Sequence, residues 1–346
     1  NKKKINCIFR FDFIKTQNYL CSLKKVIFTK FLRYKYIKNY NLSYLIFHDN
    51  LNNVCNFNFF IGILNYFFFK NLSESKIGIN KIFNKFENQS AGKGFILGAK
   101  KYFPKVKIIG VSDYFINYNF GFSRIPLRHE SFNNLTPNEN ILVNKSYRKK
   151  FSMFDKTINV KYGSFRYKKY KSLNKGKKIL QIKKEVNVAV LLPIEKNQTK
   201  RIINQIQSIH IDDKNYKYKF YLKFHPNFNL KFVNNFSNSL QKNIFIWHED
   251  FKKILNKSHL TIIGSSSASI ESILYLKPVL CPMNSFFIYD SPLINLVPKK
   301  LYSTYSNNGD LMRKIDIYVK LLSNKKHIKS LEKLFFKANK KIIKDL

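Results

Sequence analysis

Two short stretches carry residue types suited to holding a phosphate. The first, Gly264-Ser265-Ser266-Ser267-Ala268-Ser269, leads from an apolar run into a segment of helical spacing that contains Glu271. Small residues at a helix start leave backbone N–H groups uncovered, and serine hydroxyls add donors, so the turn suits an anion. Serines also cap ordinary helices, and the turn alone permits both readings. Glu271, about one turn further on, stands where a carboxylate accepts hydrogen bonds from ribose hydroxyls in nucleotide folds, or where a plain solvated acid would stand. The second stretch is Lys223-Phe224-His225-Pro226. Proline stops a strand and fixes the backbone, which would hold the His225 imidazole at the mouth of a sheet. A histidine or lysine there can neutralise charge developing on a leaving phosphate.

Those residues need a sheet to bring them together, and the chain from Asn187 onward reads as one. Apolar runs at 187–192, 220–224, 244–247, 260–263 and 278–281 alternate with amphipathic segments, the signature of βαβ units and a parallel sheet. Thr199 is placed to cap a helix carrying Ile202, Ile203, Ile206 and Ile209, and Asp250 to cap a short one before 260–263. Five strands with four intervening helices make a doubly wound half whose ligand lies at the carboxyl ends of the strands.

The amino half shows less pattern. Lys107 to Val111 (KIIGV) reads as a strand preceded by a helix through Phe95, Ile96 and Ala99, which implies a second α/β lobe. The Asn-rich stretch 133–150, broken by Pro137, sets a boundary near 155, with an amino lobe at 1–155 and a carboxyl lobe at 156–346. The expected fold is α/β, two Rossmann-like lobes with parallel sheets flanked by helices. Ile328, Leu331, Phe335, Ala338 and Ile342 form a stripe at helical spacing amid lysines, fit for packing on the protein, including back onto the first lobe, or for lying on a membrane.

The 346 residues suffice for two cores, and 63 Lys+Arg against 20 Asp+Glu leave a formal charge of +43. Such a charge attracts polyanions, yet the basic residues are scattered, and Lys, Asn, Ile, Phe and Tyr are abundant together, as AT-rich codons produce. The four cysteines form no CxxC pair, which points away from zinc knuckles and disulfide frameworks and toward a cytoplasmic setting. The most apolar stretch, 57–69, is shorter than the roughly 20 residues of a membrane span, and no signal-peptide order is seen at the amino end, where Asn1 rather than Met is the first residue.

The order KFHP, a strand, then GSSSASIESILYLKPVL resembles the donor half of GT-B glycosyltransferases, and within them bacterial sialyltransferases, capsular Kdo transferases and glycerophosphotransferases that use CMP- or CDP-linked donors. The resemblance implies that His225 and Pro226, with Gly264, Ser265, Ser266 and Ser267, bind the donor's nucleotide phosphate beside Lys223, and that Glu271 holds the ribose. The segment from Val160 to Tyr167 is similar to the one that opens such donor domains, which implies a Gly163-Ser164 turn and Arg166 near the phosphates. Phe86-Glu87-Asn88-Gln89, Lys93-Gly94 and the following strand resemble the acceptor lobe of surface-polysaccharide transferases. An acid there could take the proton of the attacking hydroxyl: Glu87, or its rival Asp113 just after the KIIGV strand. No Asp/Glu-Asp-Gly motif of the sialyltransferase type is found.

The expected activity is therefore inverting transfer of a sialic-acid-like or Kdo-like sugar from a nucleotide-linked donor to a surface glycan or lipid-linked acceptor. No cofactor or metal is required if Lys223, His225 and the serines supply the positive field. The expected partners are the donor, the acceptor and, through bulk charge, the anionic inner leaflet of the membrane, with no specific nucleic acid. Two alternatives stand beside it: a nucleotide-sugar 2-epimerase of the same fold, which needs no acceptor, and a basic nucleic-acid-binding protein.

Overall fold

A computed structural model describes residues 9–28, 36–37, 40–41, 56–112, 125–143, 145, 148–164, 166–167, 170, 178–209, 215–237, 240–264, 266–283, 291–294 and 296–343. Backbone packing divides them into two compact units, one ending at Gly163 and the other starting at Ser164.

The first unit opens with helix α1 (Thr16–Ile27) and a small antiparallel pair, β1 (Tyr36–Ile37) and β2 (Tyr40–Asn41). Helix α2 (Phe57–Glu74) follows, its first turn capped by the Asn56 carboxamide, which accepts from the amides of Asn58 and Phe59. The apolar stretch noted in the sequence is the body of this helix. Then come β3 (Lys81–Lys85), α3 (Ser90–Tyr102), β4 (Lys107–Ser112), α4 (Arg128–Phe132), β5 (Glu139–Leu142), α5 (Arg148–Phe151) and β6 (Val160–Tyr162). The four strands β3 to β6 pair in chain order and all in parallel. Helices α2 and α3 cross at glycines: a Cβ at Gly94 would stand 2.0 Å from the Gly62 carbonyl oxygen, and one at Gly98 2.9 Å from the Tyr66 Cα. Side chains are excluded there, so backbone meets backbone. Ile82, Phe86, Ile96, Ile108 and Phe151 fill the core between sheet and helices.

The second unit is a six-stranded sheet among the described residues: β7 (Glu185–Leu191), β8 (Lys217–Lys223), β9 (Ile244–Ile246), β10 (Leu260–Ile263), β11 (Val279–Pro282) and β12 (Tyr302–Tyr305). Every pairing is parallel and the spatial order is β12-β11-β10-β7-β8-β9. Numbered by chain position this is 3-2-1-4-5-6, the doubly wound dinucleotide-fold order. The chain leaves the centre through β8 and β9, then returns to the far side of β7 at β10. The adjacent ends of β7 and β10 are thus the switch point where such sheets bind ligands.

Helices α6 (Lys196–Gln207), α7 (Leu230–Ser237), α8 (Phe251–Lys257) and α9 (Ala268–Leu274) join these strands, and α10 (Asn308–Ser323) and α11 (Lys325–Ile343) follow β12. The sheet has one strand more than its apolar runs indicate. β12 reads Tyr-Ser-Thr-Tyr, an edge strand half open to solvent, and it lacks the apolar run of a strand buried on both faces. The stripe of α11 is spent inside the protein: Leu331, Phe335, Ala338 and Ile342 are buried, with α9 and α10 among the elements packed against this helix.

Candidate functional site

The exit of β7 decides where an anion can bind. In the usual doubly wound fold the first strand-to-helix turn takes the phosphate on free helix amides. Here that turn is Leu192-Pro193-Ile194-Glu195, and the Glu195 carboxylate already accepts from the amides of Asn197, at 2.8 Å, and Gln198. A negative group occupies the helix end and would repel another. Glu195, not Thr199, is the cap of α6; Thr199 lies buried inside the helix and donates to the Pro193 carbonyl at 2.8 Å.

The exit of β10 is the other strand end at the switch point. Gly264 ends the strand, and a Cβ there would stand 2.8 Å from Pro193 Cγ and 2.9 Å from Gln198 Oε1. Only glycine lets the two strand exits come this close. Ser266 Oγ accepts from the Ala268 amide at 3.2 Å, and its carbonyl accepts from Ser269 Oγ at 2.8 Å, so Ser266 shapes the turn. Ser267 occupies the cap position of α9 with no side-chain cap bond, half open to solvent. Ser265 lies outside the described residues.

β8 lies on the other side of β7. Parallel pairing brings the exits of β8 and β10 to one edge of the sheet, two strand spacings or about 10 Å apart. His225 sits there, half buried, in a turn closed by the Phe228 amide donating to its carbonyl at 3.0 Å. Its Nδ1 accepts from the Asn227 amide at 3.2 Å, so the neutral ring carries its proton on Nε2 and presents a donor. Pro226, exposed, forms the bend. Lys223 is turned aside: Nζ donates to the Glu249 carbonyl at 2.6 Å, fixing the loop after β9.

Glu271 is buried on α9 and its two oxygens have separate partners. Oε1 accepts from Arg166 Nη2 at 2.6 Å and Nε at 3.1 Å, and Oε2 accepts from the Tyr170 hydroxyl. Burial, followed by the bond to Glu271 and its charge, pushes the Tyr170 phenol up, so it remains a donor. Ser164 turns inward and accepts from the Tyr167 amide at 3.0 Å, which sets the bend presenting Arg166 with its guanidinium 5.3 Å from the Tyr167 ring centre. Gly163 closes β6 of the first unit, where a Cβ would meet only ordinary contact with Ile141, so no steric demand for glycine exists at that position. Tyr170 escapes a motif-based reading, since a tyrosine among lysines in YKKYKS carries no positional signal.

In the first unit the loop between β3 and α3 borders a cavity of about 270 Å³ lined by Asn65, Asn84, Lys85, Glu87, Gln89 and Gly92, among others. Glu87 is ion-paired to Lys85 at 2.7 Å and accepts from Gln89 at 3.3 Å. Asn84 Nδ2 is buried without a hydrogen-bond partner among the described residues. The loop is pinned from behind by Asn88, at φ 54°, whose amide nitrogen donates to the Ile125 carbonyl at 3.2 Å and to Glu130 at 3.1 Å. Lys93 pairs with the same buried Glu130. Burial alone would raise the Glu130 carboxyl; its bonds from Lys93, the Leu127 amide and Asn88 hold it below the usual range. Asp113 lies outside the described residues.

No protein-family model matches the sequence, and no curated protein matches it. Solved structures do. A Listeria monocytogenes protein described as a UDP-N-acetylglucosamine 2-epimerase superposes with a TM-score of 0.52 at 13% identity, covering 81% of this chain and 78% of that one. Trehalose-6-phosphate synthase, described as a glycosyl-transferring enzyme that retains configuration, superposes at 0.51 with 10% identity, covering 94% and 82%. The fold is GT-B. TarM also superposes, at 0.47 and 16% identity, over 82% of this chain, which spans 55% of TarM's length. The GT-B class comprises two Rossmann-like α/β units, as found here. In the second unit the sheet topology brings His225, Gly264, Ser266 and Ser267 to one strand edge and ties Arg166 to Glu271, while Lys223 is committed to a loop. Glu87 belongs to the first unit.

Proposed function

We propose that the chain is a glycosyltransferase that moves a sugar from a nucleotide-activated, CMP-linked donor to a surface glycan or lipid-linked acceptor. One observation carries the reading: at the switch point of a 3-2-1-4-5-6 sheet, the usual phosphate turn is filled by Glu195 while the Gly264 turn keeps an uncapped Ser267. Donor phosphate would lie on the Ser265 to Ser267 turn, with the His225 Nε2 proton directed at the leaving oxygen. Ribose hydroxyls would share the Glu271 carboxylate, and any loosening of Arg166 from Glu271 would free its guanidinium for phosphate. The His-Pro and serine resemblance supports the cytidine nucleotide and the sialic-acid-like or Kdo-like sugar. The acceptor's hydroxyl oxygen bonds to the anomeric carbon as the bond from that carbon to the phosphate oxygen breaks, the hydroxyl proton passes to a carboxylate base, and the phosphate leaves as an anion with His225 donating to it.

A melting-temperature screen with CMP, CDP, UDP and GDP tests the donor site, because a ligand that binds only the native state raises Tm. The expected result is stabilisation by a cytidine nucleotide that is lost in His225→Ala; indifference to every nucleotide would end the reading. The epimerase alternative separates on donor alone, since epimerisation proceeds without an acceptor. The cavity at Glu87, where the Asn84 amide has no partner among the described residues, favours transfer to a hydroxylated acceptor.

A further inference from the structure

Among the described residues, helix α1 is packed on one side only. Asn18, Ser22 and Val26 face inward, where Asn18 Oδ1 accepts from the Asn71 amide at 2.8 Å and Ser22 and Val26 are buried. The opposite face carries Leu20, Leu23 and Ile27 at 64%, 50% and 47% exposure, and Phe28 at 74% continues it beyond the last turn. Positions i, i+3 and i+7 fall on one stripe of a helix, so these are a continuous apolar line and not scattered surface residues. Exposed Lys24 lies along it, while Lys25, also exposed, holds its ammonium 5.7 Å from the Phe67 ring centre at the border of the packed side. Nearby, Phe9 and Phe11 are also exposed, at 66% and 64%.

We infer that this face of α1 docks on an anionic lipid surface, with the helix lying flat and its leucines in the acyl boundary. The argument is charge together with shape. The first forty residues hold eleven Lys or Arg and a single acid, Asp12. An apolar stripe flanked by cations is the pattern of an interfacial helix, and lysine stems let the ammonium groups reach lipid phosphates while the stripe sinks. At 12 residues and about 18 Å the helix is too short to cross a bilayer. A second copy of the chain is a poorer occupant, because two molecules of formal charge +43 repel. The inference is independent of the catalytic reading and needs no assumption about donor or acceptor.

The test uses the whole protein and flotation with two kinds of vesicle, pure phosphatidylcholine and phosphatidylcholine with about 30% phosphatidylglycerol, in the range where each basic residue near the surface adds measurably to binding. The expected result is at least a tenfold preference for the anionic vesicles. The variant Leu20→Gln/Leu23→Gln/Ile27→Gln should lose at least a tenfold share of that binding with its Tm unchanged. A local reporter guards against a misfolded triple variant. Leu20→Trp in a Trp247→Phe background, which leaves one indole in the chain, should shift its emission to the blue on anionic vesicles and not on neutral ones. Equal binding to both vesicles, full binding by the triple variant, or an unmoved emission from the indole of Leu20→Trp would each overturn the inference. So would a dimer in solution that the triple variant converts to monomer without any lipid binding, or an indole in Leu20→Trp already shielded without vesicles, which would show the stripe covered by the chain itself.

Discussion

At the scale of single residues, Glu271 shows how neighbours commit a buried acid. Arg166 and Tyr170 together satisfy both of its oxygens, so the carboxylate anchors the segment after Ser164 as much as it waits for a ribose. Glu271→Gln keeps the shape and removes the charge, leaving a partly buried guanidinium with a neutral partner. Because the Arg166 side chain is 41% exposed, water takes over part of the lost pairing, and the cost is about 1 kcal/mol. The variant should unfold at lower denaturant by that amount and bind a cytidine nucleotide at least tenfold more weakly; unchanged values in both measurements would remove Glu271 from the site. His259, buried at the start of β10, reports on pH in a different way. Burial, and then the nearby Lys277 cation, push its imidazole down to about 4 from an ordinary 6.5. Between those values the unfolded chain takes up a proton that the folded one refuses, so stability is complete above 6.5 and declines as pH falls toward 4. The loss amounts to about 3 kcal/mol over that window. Equilibrium unfolding from pH 7 to 4 should show this slope, and His259→Asn should flatten it.

At the scale of elements, the crossing of α2 and α3 sets local preference against packing. Alanine is favoured over glycine in a helix by about 1 kcal/mol, so an isolated α3 peptide carrying Gly94→Ala should be more helical. In the folded chain the added methyl would stand 2.0 Å from the Gly62 carbonyl, which no side-chain motion relieves, and overpacking of this kind costs about 3 kcal/mol. The expected sign is therefore destabilisation of the protein with stabilisation of the peptide, read by chemical unfolding and circular dichroism. The same balance explains what could be read beforehand. Strands buried on both faces, such as β7 and β10, announce themselves as apolar runs, and the residues at 260–263 match β10 at both ends. β3 and β6 are short and carry Lys or Asn on largely open faces, while β5 buries two polar residues, Glu139 and Asn140, so none of the three gives such a signal. The strand-end places of His225 and of the serine turn were legible because proline and glycine punctuate strand ends. The Glu195 cap was masked by Thr199, an equally plausible cap four residues later; Tyr170 matters through its bond to Glu271, distant in sequence, and Asn84 through a burial that leaves its amide without a partner among the described residues.

At the scale of the whole molecule, the charge of +43 complicates every assay of an anionic ligand. Self-repulsion destabilises the compact state, and salt shortens its reach from about 30 Å at 0.01 M to about 8 Å at 0.15 M. Tm should therefore rise by several degrees over that range without any ligand. A nucleotide also raises Tm at low salt merely as an anion, and so would pyrophosphate or any oligonucleotide. The two effects part at high salt. A ligand seated on backbone amides and on the His225 donor keeps most of its bonds when diffuse charge is screened, whereas nonspecific polyanion binding falls steeply with the logarithm of salt concentration. At about 0.5 M NaCl the cytidine nucleotide should still stabilise the protein, pyrophosphate should do so weakly, and DNA should not do so at all. Persistent binding of DNA under those conditions, with the nucleotide effect gone, would make the surface and not the switch point the functional feature of this chain.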